Sequence, residues 1–153
     1  MADFESSFHR GISAAKDAAR NRAEVKAVLA EVDAQLDRAS DGKLHVAVEE
    51  RLAPPANLLA SALVSFGVSQ EKYLAIVARN KVYEQAGARE LARWRVDPSG
   101  YPCWIKTAEL DLACENKEAL EQGLATLLST PTVGEAMYAL LNFAPPDQAD
   151  ASA

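Results

Sequence analysis

The chain has 153 residues, 49% of them hydrophobic and 25% charged, with a formal net charge of −6. That composition excludes wholesale disorder, and the length suffices to bury a core without help from disulfides or metal. The acidic balance disfavours a nonspecific grip on phosphate backbones, which needs a basic surface; it suits solubility and a basic partner.

No apolar run approaches the ~20 residues of a membrane helix. The longest, residues 58–68, is interrupted by Ser61, Ser65 and Gly67. Residues 1–10 carry Asp3 and Glu5 and lack the apolar stretch of a secretory signal, and neither end carries a lipidation pattern. The expectation is one cytoplasmic α+β domain over residues 1–143 and a disordered tail over 144–153, where Pro145-Pro146 precedes Ala and Asp.

Residues 3–40 read as helix: no proline, one glycine at Gly11, and many strong helix formers. Apolar residues recur at Phe4, Phe8, Ile12, Ala15 and Ala19, then at Val25, Val28, Leu29, Val32 and Leu36, which reads as one stripe. Asp41-Gly42 stops it. Such a helix is about 55 Å long, more than a domain of this size spans. It therefore bends near Gly11 or Asn21, with Phe4, Phe8 and Ile12 folded back onto the domain, or one end projects and needs a partner.

In residues 43–52, Leu44, Val46 and Val48 alternate with His45, Ala47 and Glu49, the period of a strand, which Pro54-Pro55 ends. Residues 57–68 read as a loop or short helix crossing over the sheet. A second strand, residues 72–79, is apolar on both faces and so belongs inside the sheet. After a loop over 80–88, a third strand at 89–96 puts Ala92, Trp94 and Val96 on one face and Arg93 and Arg95 on the other. Asp97-Pro98-Ser99-Gly100 is a turn, and the chain returns through 101–107 and 109–114. Asn116 caps a helix that buries Leu120, Leu124, Leu127 and Leu128; Thr130-Pro131 starts another, with Val133, Met137, Leu140 and Leu141 on its apolar face. The predicted architecture is α+β: a long N-terminal helix, an antiparallel sheet of four or five strands, and C-terminal helices packed on one face.

Chemistry is sparse. His9 and His45 have no cysteine or second histidine at metal-ligand spacing, and no glycine-rich phosphate loop occurs. No cofactor, metal or catalytic constellation is predicted. Cys103 and Cys114 read as free buried thiols, with a pairing between them as the alternative. Asp97, Glu109 and Lys106 are the residue types of a metal-dependent nuclease, but Asp97 is better explained by its turn. Glu31, Asp33, Asp37 and Asp41 offer a carboxylate face of the DNA-mimicking kind, interrupted by Lys26, Arg38 and Lys43.

The most suggestive cluster is Arg89, Arg93, Arg95, Trp94, Tyr101, Trp104 and Lys106, which holds both tryptophans. Arginine and tryptophan are the residues of binding hot spots. The plainer reading puts the tryptophans in the core and the cations in solvent. The expectation is a non-enzymatic protein-interaction module (an inhibitor, immunity-type or assembly accessory factor) that binds another protein and neither nucleic acid nor membrane. Its predicted contact residues are Phe4, Phe8, Ile12, Arg93, Arg95, Tyr101, Trp104 and Lys106, with a homodimer through the N-terminal helix as a further expectation. The alternatives are a secretion-type chaperone dimer, a DNA-mimic inhibitor, and an enzyme with a dispersed site using Cys103 or the Asp97/Glu109 pair.

Overall fold

Asp3 starts the first helix. Its carboxylate accepts the Ser6 amide at 3.0 Å and the Ser6 hydroxyl at 2.7 Å, satisfying donors that a helix start leaves open. The computed structural model describes residues 1–146, and α1 (Phe4–Ala39) is one unbroken helix within it. Thirty-six residues span about 54 Å. Asp41 and Gly42, both at positive φ, turn the chain back, and the Gly42 amide donates to the Asp37 carbonyl at 2.8 Å.

Five antiparallel strands follow in spatial order β1-β2-β3-β4-β5: β1 (Leu44–Leu52), β2 (Lys72–Asn80), β3 (Ala88–Val96), β4 (Cys103–Lys106) and β5 (Asp111–Cys114). Between the first two stands α2 (Leu58–Ser65), and a single 3₁₀ turn, Glu84–Ala86, interrupts the loop before β3. The chain closes with α3 (Lys117–Leu128) and α4 (Pro131–Leu141). The α+β class and its order are those the sequence predicts.

The register sorts the side chains into two faces. Val46 pairs with Ala78, Val48 with Ile76, Ile76 with Ala92, Trp94 with Ile105 and Cys103 with Cys114. This face meets the helices: the second half of α1 lies on β1, α4 on β2 and β3, and α3 on β4 and β5. The core forms between them, from Val25 and Val28 of α1, Leu120, Leu124 and Leu127 of α3, and Val133 and Leu140 of α4 against the sheet. Each such side chain, fully buried, contributes roughly 1.5–3 kcal/mol. A β-bulge at Ile76/Val77 lets both Leu91 and Ala92 enter this core.

Three details differ from expectation. Gly11 does not bend α1, so the Phe4 end projects and does not fold back. Residues 57–68 do not cross the sheet; β1 and β2 pair directly, and no residue of α2 is buried. Residues 107–110 are a turn, because the Thr107 hydroxyl takes the amides of Glu109 and Leu110 and splits the return into β4 and β5. Thr130 stands at the N-cap of α4 with Pro131 after it, as expected, and its hydroxyl donates back to the Leu127 carbonyl. Of the expected tail, 147–153 lie outside the described residues.

Candidate functional site

The last residue of β1, the first of β2, the last of β3 and the first of β4 all meet at one end of the sheet. There α1 is fastened to the β3–β4 turn. Arg22 Nη1 donates to the Pro98 carbonyl at 2.7 Å, and the Tyr101 hydroxyl donates to Glu24 Oε1 at 2.7 Å. Beyond this clasp α1 runs on past the end of the sheet with Phe4, Phe8 and Ile12 exposed, Phe4 at 77% and Phe8 at 63%.

The loop between β1 and β2 leaves from the same end. Asn57 caps α2 by accepting the Ala60 amide at 2.8 Å. Leu58, Leu59 and Leu63 of α2, with Phe66 and Val68 after it, are all exposed, Leu58 at 91% and Phe66 at 87%. Residues 52–70 carry no charged side chain. Depletion of charge with large apolar groups left in water is the composition of an interface core.

A second surface is the sheet face opposite the helices. Arg93 lies over the Tyr73 ring at 4.3 Å and Arg95 over the Trp104 ring at 3.8 Å, both at cation–π distance. The Tyr73 hydroxyl donates to Glu90 at 2.6 Å, which holds the phenol above its ordinary pKa. Arg79 reaches Glu49 with two nitrogens, at 3.0 and 2.9 Å, and this bond raises the guanidinium pKa. Long side chains such as those of Arg93 and Arg79 explain why Ala75 and Val77 are fully buried on the face turned away from α1, α3 and α4.

Four of the predicted contact residues, Arg93, Arg95, Trp104 and Lys106, share this open face. Tyr101 does not join them. It is partly buried against α1, and burial together with its bond to Glu24 raises its phenol pKa. Phe4, Phe8 and Ile12 form their own group on the projecting helix. Trp94 faces the core, as the strand alternation requires.

The groups weighed for chemistry lie apart. Asp97 accepts the amide and hydroxyl of Ser99 within its turn, which lowers its pKa, while Glu109 sits beyond the other end of β4 and accepts from Thr132. Cys103 and Cys114 are buried free thiols directly opposite each other. Burial, then the neighbouring Cys114, pushes the Cys103 pKa up to about 11. His45 Nδ1 meets Asp33 at 3.0 Å at the edge of β1, and His9 lies near Glu5 on the projecting helix. Among the described residues no group of three or more His, Cys, Asp or Glu is placed to hold a metal. Nor are the carboxylates of α1 a free acidic row: Asp33 takes the Val46 amide, and Asp37 accepts from Lys81 at 2.7 Å.

Sequence reasoning missed two features. One is the apolar surface of α2, whose signal was an uncharged run bracketed by Pro54-Pro55 and Gly67. The other is a groove of about 380 Å³ between α1 and α3, with Val32, Leu36 and Leu128 on its walls and Glu31 and Glu121 among its lining. Among the described residues no helix is long and apolar enough to cross a membrane. No protein-family model matches the chain, and no curated protein or solved structure matches it either.

Proposed function

We propose that this chain is a non-enzymatic protein-interaction module, an inhibitor or assembly accessory factor in kind, which takes its partner protein on α2. One observation carries the reading: Leu58, Leu59, Leu63, Phe66 and Val68 form an uncharged apolar surface in solvent, and no residue of α2 is buried. Large apolar groups held in water represent unrealised burial of roughly 25 cal/mol per Å². A short apolar helix on a stalk between two strands suits a partner with a hydrophobic groove, which reads such a helix through side chains three and four apart. Leu59, Leu63 and Phe66 have that spacing.

The test compares tagged wild-type chain with Leu59→Asp and Phe66→Asp as baits in a quantitative lysate capture. Circular dichroism establishes that all three are equally folded. A protein recovered in stoichiometric amount by the wild type and lost at least tenfold by both variants supports the reading. Equal recovery by all three baits refutes it.

A further inference from the structure

We propose that residues 4–20 of α1 pair antiparallel with the same segment of a second copy of this chain, Phe4 opposite Ala19, Phe8 opposite Ala15 and Ile12 opposite Gly11. This uses a different helix from the docking reading of α2 and stands apart from it.

Among the described residues nothing buries the apolar stripe of this segment. Phe4, Phe8 and Ile12 are exposed although they recur at helical spacing. On a helix of 3.6 residues per turn, their stripe lies about 120° around the axis from the Val25, Val28 and Val32 stripe that packs on the sheet. Covering it therefore leaves the core contacts of α1 untouched.

Three features point to a second copy as the cover. The first is size. The stripe is large at one end and small at the other: Phe4 and Phe8, then Gly11 beside Ile12, then Ala15 and Ala19. In the antiparallel register each large group of one helix meets a small group of the other. Gly11 has open space around its Cα, so the facing Ile12 can approach closely there. That gives a purpose to a mid-helix glycine, which otherwise costs about 1 kcal/mol relative to alanine.

The second feature is charge. Residues 2–9 carry Asp3 and Glu5 and no lysine or arginine, whereas 10–22 carry Arg10, Lys16, Arg20 and Arg22 against Asp17 alone. A parallel pair stacks like on like. The antiparallel register sets Asp3 opposite Arg20 and opposes the helix dipoles favourably.

The third feature is length. The free part of α1 ends where Asn21 meets Gly100. In the stated register the helical part of the second copy ends opposite Ala19, just short of that clasp. The free segment is as long as the pairing needs, and the two bodies lie at opposite ends of a two-fold arrangement. Two phenylalanines and an isoleucine per copy bury on the order of 400 Å², so the interface is small and the association it supports is weak.

Sedimentation equilibrium on the full chain from 2 to 500 µM (roughly the span such an interface requires) reads the result. The expected mass rises from 16.4 kDa towards twice that value. Phe8→Glu stays monomeric, and Leu59→Asp dimerises like wild type, which separates this inference from the α2 reading. A short bis-maleimide joins two copies of Ala15→Cys, about 10 Å apart along the axis in this register, at least tenfold faster than two copies of Ala19→Cys, about 22 Å apart. A monomer at every concentration overturns the proposal. So does a Phe8→Glu chain that dimerises normally, or an Ala19→Cys chain that cross-links as fast as Ala15→Cys.

Discussion

Gly100 and Asn21 touch so closely that a Cβ on the glycine would lie 2.5 Å from the Asn21 Cβ and 2.8 Å from the Arg22 amide nitrogen. Gly100 also sits at φ +98, a conformation side chains disfavour. This contact is where the long helix is fastened to the β3–β4 turn, with Arg22–Pro98 and Tyr101–Glu24 on either side of it. Gly100→Ala must displace backbone, not a flexible side-chain end. We expect a loss of about 2–4 kcal/mol in urea unfolding, with faster amide exchange in residues 21–24 of α1. A loss below about 0.5 kcal/mol means the clasp is not as tight as the geometry implies.

The two tryptophans separate core from surface. Trp94 is buried among the helices, and Trp104 lies on the open face beneath Arg95. Trp94→Ala removes a core aromatic and is expected to cost about 3–5 kcal/mol. Trp104→Ala gives up a cation–π contact and a partly exposed ring, for about 1 kcal/mol, and leaves a folded chain. Equilibrium unfolding of both variants checks the contrast, and equal losses contradict the face assignment.

That contrast was legible in the sequence because a strand alternates strictly. Once residues 89–96 form a strand, Trp94 and Arg95 must face opposite ways. The cap at Asn116 was equally open to reading, since a short polar side chain before an apolar run has a local meaning. What could not be read depends on phase over distance. Phe4 to Ala19 and Val25 to Leu36 each follow helical spacing, but the gap of six between Ala19 and Val25 moves the second set to another side of the helix. Tyr101 stands beside the arginines in sequence, but the turn at Pro98 and Gly100 carries it to α1. The exposure of α2 was hidden for a similar reason, because an apolar segment between two strands ordinarily covers them.

Cys103 supplies a pH dependence with a definite sign. Burial holds its pKa at about 11, above the ~8.5 of an exposed thiol. The folded chain therefore keeps a proton that the unfolded chain releases. The associated stability is full below about pH 8.5 and is lost as pH rises towards 11. Denaturation midpoints of wild type and Cys103→Ala between pH 7.5 and 10.5 should converge as pH increases. The native thiol should also react with iodoacetamide at pH 8.5 at least tenfold more slowly than the unfolded chain, a ratio that reports opening and not access. Native labelling at the unfolded rate contradicts the burial.

Asp33 guards the edge of the sheet. β1 is an outer strand, and its outward amides alternate: Leu44 donates to the Ser40 hydroxyl at 2.9 Å and Val46 to the Asp33 carboxylate at 2.8 Å. The same carboxylate meets His45 Nδ1, so one side chain of α1 holds both the backbone and a side chain of the edge. Further along β1 the outward amides of Val48 and Glu50 follow by the strand's period of two, and an open row of this kind is a template for unwanted pairing. Asp33→Ala frees the Val46 amide without adding a clash. The bond is part-buried, and losing it is expected to cost about 0.5–1.5 kcal/mol, the usual net range for a single hydrogen bond. Asp33→Asn retains an acceptor oxygen and should recover more than half of that loss. The two variants thus separate the hydrogen bond from the charge in an unfolding titration. Thioflavin binding on incubation tests the edge itself: Asp33→Ala should form β-paired aggregates faster than wild type. If it forms them no faster, Val46 is protected by the bulk of α1, and the carboxylate contributes only stability.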